Sequence, residues 1–147
     1  MSKGKKSEEE KKRIDILKTQ LGYKNAYELV DSELQGVYDE IDKLCKKAPN
    51  EPITNLQLGV VNRLIEKSKR LLDGDRIVGE ISSFVAAGDN PEYRDVLTVL
   101  RQLRQGLQRF KVKYSLMWRD DPKDELSELG VEVDDVLDIF ESEGEEA

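Results

Sequence analysis

Asn90-PEYRDVLTVLRQLRQGLQRFKVKYSLM-Trp118 is the stretch on which the fold turns. Asn90-Pro91-Glu92 carries three start signals: an amide able to cap, a proline whose missing N–H costs nothing at the first helical position, and an acid in the first turn. Beyond it Tyr93, Val96, Leu100, Leu103, Leu107, Phe110, Tyr114 and Met117 recur at alternating spacings of three and four. That spacing is a heptad seam, so a helix over 91–118 is expected, roughly 40 Å long at 1.5 Å per residue.

A second seam precedes it. Tyr27, Val30, Leu34, Val37, Ile41 and Leu44 have the same spacing within a predicted helix from Asn25 to Lys47, closed by Lys46 and Lys47 against the negative end of the dipole. An earlier helix is expected from Ser7, whose hydroxyl caps Glu8-Glu9-Glu10, through Ile14, Leu17 and Leu21 to a stop at Gly22. Pro49-Asn50-Glu51-Pro52 breaks the chain, and Thr54 caps a helix with the broad stripe Leu58, Val61, Leu64, Ile65, Leu71 and Leu72. Asp73-Gly74-Asp75 ends that helix. Asp75 then caps a shorter one carrying Ile77, Val78, Ile81, Phe84 and Val85, closed by Gly88. After Asp120-Asp121-Pro122 the pattern predicts a short helix around Leu126 and Leu129 with a stop at Gly130, then an amphipathic piece from about Asp134.

Charged and apolar residues each make up 37% of the 147-residue chain, which suits helices with one buried stripe and a solvated back. The expected fold is an all-α bundle of four to five helices with a long C-terminal heptad helix and an acidic, partly disordered tail. Its organisation reads as a basic flexible arm at 1–7, a helical bundle domain at 8–121, and an acidic tail with short amphipathic helices at 122–147. The short breaks between helices favour an intramolecular antiparallel bundle, and the same seam offers a homo-oligomer through helix 91–118 as the alternative.

The charge is segregated. From Val96 to Arg119 there is no acid, while Arg101, Arg104, Arg109, Lys111, Lys113 and Arg119 supply six positive charges; the 28 residues from Asp120 hold 13 acids and one lysine. Such asymmetry speaks about association. The basic face of helix 91–119, with Phe110, Tyr114 and Trp118 at i, i+4 and i+8, has the elements of a polyanion-binding surface that the tail would mask, although Phe110 and Tyr114 also belong to the seam. In the tail, Val133, Val136, Leu137, Ile139 and Phe140 ringed by acid form the pattern of a helix that docks into a basic groove of a partner, with docking onto its own domain and plain disorder for solubility as equal alternatives. A helix-turn-helix over Ile14–Leu44 with Gly22 in its turn is a weaker nucleic-acid reading, since its second helix is long and acidic.

The chain has no histidine, which removes the commonest general base and the usual nitrogen ligand, and with them Ser-His-Asp and Cys-His catalysis. Asp39 with Asp42, and Glu125 with Glu128, could hold a hard cation or activate a water, which leaves a carboxylate-based metal-dependent hydrolase as a distant third reading, but solvated helix backs explain them more simply. Asp73-Gly74-Asp75 lacks the remaining ligands of a calcium loop. Cys45, the one cysteine, cannot form an intrachain disulfide and reads as a small buried side chain beside Leu44. No apolar run approaches the roughly 20 residues of a membrane span. The expectation is a cytoplasmic, non-enzymatic interaction or adaptor protein with an acidic docking or regulatory tail, no cofactor, no metal and a protein partner. A nucleic-acid-binding accessory protein is the alternative.

Overall fold

The computed structural model describes residues 7–84, 90–114 and 121–132. They form five helices: α1 (Glu8–Lys47), α2 (Asn55–Leu71), α3 (Arg76–Gly79), α4 (Tyr93–Tyr114) and α5 (Pro122–Glu128). The all-α expectation holds for these residues. They pack as two compact units, one within 1–26 and 114–147, the other within 27–113.

α1 is one helix of 40 residues where two were expected. Its start is as read, with Ser7 Oγ accepting from the N–H of Glu10 at 3.1 Å. Gly22 does not stop it: among the described glycines only Gly74 and Gly130 have positive φ. A mid-helix glycine costs only about 1 kcal/mol relative to alanine. That is small beside the burial gained on both sides of it, where Leu17, Leu21, Ala26, Val30 and Leu34 are all sequestered. An unbroken helix leaves no helix-turn-helix at 14–44.

In the first unit Ile14, Leu17 and Leu21 of α1 close over the fully buried Leu126 of α5, with Leu129 and Val131 packed alongside. Asp121 caps α5 by accepting from the N–H of Lys123 at 3.0 Å, and Pro122 occupies the first turn. The helix ends at Gly130 (φ 74°), where the Val131 N–H returns to the Leu126 carbonyl at 3.0 Å. Arg13 holds Glu125 through both carboxylate oxygens at 2.8 and 2.9 Å, and Lys24 stands 3.4 Å from Asp121.

The second unit is built on α4. Tyr93, Val96, Leu97, Leu100, Leu103, Leu107 and Phe110 of α4 are buried, as are Leu58, Val61, Leu64, Ile65 and Leu71 of α2 and Val30, Leu34 and Ile41 of α1. Tyr27 of α1 stacks on Phe110, ring centres 5.6 Å apart. Thr54 forms a complete capping box with Gln57, as its spacing indicates.

Two local expectations need correction. α4 starts at Tyr93, and Asn90 does not cap it: its Nδ2 donates instead to the Ile53 carbonyl at 2.9 Å and to Asn55 Oδ1 at 2.8 Å. The first α4 amides are satisfied by a segment forty residues upstream, Tyr93 N–H by the Glu51 carbonyl (3.0 Å) and Arg94 N–H by that of Pro49 (3.1 Å), while Ile53 N–H donates to Pro91 at 2.9 Å. The helix expected from Asp75 to Gly88 is a single turn, α3. Asn62 of α2 explains this by taking both backbone groups of Phe84, its Nδ2 donating to the carbonyl and its Oδ1 accepting from the N–H, each at 2.8 Å. Ser83 donates to Glu66 at 2.7 Å. Side chains of α2 thus hold the segment after α3 in a non-helical course. Residues 85–89 and Met117 to Arg119 lie outside the described set.

Candidate functional site

Lys111, Lys113 and the three arginines of the basic α4 stretch are all exposed, but the arginines are engaged inside the second unit. Arg104 lies over the Tyr38 ring at 4.3 Å from its centre, and Arg101 Nε donates to the Tyr38 hydroxyl at 3.4 Å, which raises the arginine's pKa. Arg109 turns the other way and grips Asp75 with two bonds of 2.9 and 3.1 Å. That bond, helped by the Ile77 and Val78 amides that Asp75 caps, holds the Asp75 carboxyl below its usual range despite partial burial. The three arginines therefore sit on two edges of α4, Arg101 and Arg104 facing α1 and Arg109 facing the start of α3. Phe110 is buried under Tyr27 and has no face to offer a base. Arg119 and the tail positions Val133, Val136, Leu137, Ile139 and Phe140 lie outside the described residues.

The acidic pairs have local employment. Asp39 accepts from Gln35 at 3.0 Å, Asp42 pairs with Lys46 at 3.1 Å, and Glu125 is held by Arg13. Among the described residues no three carboxylate or thiol donors converge. Cys45 is half-buried and not enclosed, as Leu44 beside it also is. No helix among the described residues is long and apolar enough to cross a membrane.

A different surface emerges between α1 and α2 of the second unit, where a groove of about 370 Å³ opens to solvent. Gly36, Val37, Val60 and Leu64 line its floor, with Ser32, Glu33 and Glu40 on the α1 rim and Arg63 and Lys67 on the α2 rim. Glu33 and Lys67 bridge one end at 3.2 Å. Nothing lies within 4 Å of the position a Gly36 Cβ would take, so the floor is open to an approaching backbone. Leu56 continues the α2 side one turn beyond Val60 and is 81% exposed, and Leu29 is half-exposed one turn before Glu33. Sequence periodicity assigns Val37 and Leu64 of the floor to the seams, although Val37 is only half-buried, and passes over Val60 and Gly36. The available signal is Leu56 and Val60 at i, i+4 outside the stripe of α2.

No protein-family model, no curated protein and no solved structure matches this chain.

Proposed function

We propose that the chain is a non-enzymatic helical interaction protein, an adaptor whose α1/α2 groove receives a partner and whose acidic C-terminal segment acts as a docking or regulatory element. The groove carries this reading: an apolar floor between two polar rims, extended by an exposed leucine, has the features of helix-in-groove recognition. The nucleic-acid reading is weaker, because Arg101, Arg104 and Arg109 already have partners within the chain.

Affinity capture with three baits tests this: the full chain, a Val60→Glu variant, and a chain ending at Glu132. The last keeps Leu126, Leu129 and Val131, which a cut before α5 would remove from the first unit. The same partner should be recovered by the full chain and lost by Val60→Glu, with little change between about 50 and 300 mM salt. Capture of nucleic acid that vanishes with salt and ignores Val60→Glu would replace this reading with the polyanion one.

A further inference from the structure

We infer that the α1/α2 face, the groove with its two rims, docks on the same face of a second copy of this chain in a two-fold dimer; the inference rests on that face being a docking surface. Charge complementarity selects this occupant. The α1 rim is acidic (Glu33, Glu40) and the α2 rim is basic (Arg63, Lys67). Glu33 and Lys67 neutralise each other within the chain, whereas among the described residues Glu40 and Arg63 have no ion-pair partner. A partner that sets a base opposite Glu40 and an acid opposite Arg63, on opposite edges of one face, gains two ion pairs. The groove itself presents that pair.

Geometry selects one symmetry. The Glu33–Lys67 bridge sets the register of the antiparallel helices, so Glu40, about two turns further along α1, stands level with Val60, two turns back along α2, and Arg63 lies one turn from Val60. Two copies placed face to face about an axis parallel to the helices set the acidic rim of each over the basic rim of the other. Glu40 then comes within an arginine's reach of Arg63 of the second copy, twice by symmetry. An axis running across the helices would lay acid on acid and base on base, which like-charge repulsion disfavours. Gly36 leaves room for the close approach, and Val60 and Leu56 supply the apolar contact. The face spans only a few turns of each helix, which assigns the dimer to the small, readily dissociating class of interfaces.

Sedimentation velocity on the full chain from about 5 to 500 μM should show reversible doubling of mass. Glu40→Arg and Arg63→Glu, both at exposed positions and expected to keep native helicity by circular dichroism, should each weaken dimerisation at least about tenfold, since each sets two like pairs across the axis. Mixing the two variants should restore association, because in the heterodimer positions 40 and 63 again meet with opposite charges at both contacts, reversed in sign at one of them. A wild-type chain monomeric throughout the range overturns the proposal, as do variants that dimerise like wild type or a mixture that stays monomeric. The groove reading fails separately, if Val60→Glu leaves capture of every partner unchanged; a monomeric chain that loses its partner on Val60→Glu refutes only the dimer.

Discussion

Replacing Gly106 with alanine adds one methyl where α4 meets Val78 of α3 and Leu72 at the end of α2. Its Cβ would stand 2.5 Å from Val78 Cγ2 and 3.0 Å from Leu72 Cδ1. Carbon atoms pack at about 3.5–4.0 Å, so the first contact is short by roughly 1 Å and the second by roughly half that. Val78 is fully buried and branched at Cβ, and its amide is tied to Asp75 at 3.1 Å. It cannot swing aside, and relief requires α3 to shift as a body. Overpacking of this kind costs about 1–3 kcal/mol, against about 1 kcal/mol returned by the better helix propensity of alanine. The two short contacts argue for the upper part of that range, giving a net loss of about 1–2 kcal/mol. Gly59 provides the control: nothing lies within 4 Å of its Cβ position, so Gly59→Ala should gain up to about 1 kcal/mol. For a domain of this size about 4 °C per kcal/mol converts the difference into a gap near 10 °C between the variants. Calorimetry or thermal circular dichroism measures it, and Val78→Ala combined with Gly106→Ala should cost less than the two changes summed. A Gly106→Ala protein that melts at or above wild type, as Gly59→Ala should, would refute the close packing of α3 on α4.

Asp75→Ala removes the α3 cap and the partner of Arg109, and should cost about 1–2 kcal/mol by urea titration. Because the folded Asp75 pKa lies below the usual 3.8, the stability gained from its ionisation is present above that value and lost as pH falls through the lower one; the margin of wild type over Asp75→Asn should shrink only in acid. Leu126→Ala should cost about 2–5 kcal/mol within the first unit, read as faster hydrogen exchange at the Ile14–Leu21 amides with those of Leu100–Leu107 protected as before. Leu103→Asp buries a lone charge in the α4 seam and should abolish the cooperative melt; a retained transition would contradict its burial. Ser68 Oγ is fully buried and finds no hydrogen-bond partner among the described residues, so Ser68→Ala should raise the urea midpoint, by up to about 1 kcal/mol in stability.

What is legible in the chain is what local chemistry decides. The Thr54–Gln57 box, the Asp121-Pro122 start, the Gly130 stop and the buried stripe of α4 each depend on residues within a few positions of one another, and each can be read from them. Gly22 misleads because a glycine stops a helix only where the chain needs a left-handed residue, and here burial on either side outweighs its cost. Asn90 and residues 81–84 mislead for a shared reason: distant side chains and carbonyls, those of Asn62, Glu66, Glu51 and Pro49, replace the bonds a helix would have supplied. The groove needs the α1–α2 register, which no single-helix pattern contains. The basic run on α4 is visible as composition, but Tyr38 and Asp75 divide it into two edges.

The way α4 begins makes its first turn depend on a distant one. A capped helix satisfies its first amides from its own sequence, whereas α4 draws its first hydrogen bonds from the carbonyls of Pro49 and Glu51 and is complete only when the turn after α1 is in position. Excised as a peptide, residues 90–114 should fray from their N-terminal end despite a full apolar stripe. In the intact chain the same bonds tie the start of α4 to the turn after α1, so loosening that turn should raise hydrogen exchange first at the Tyr93 and Arg94 amides.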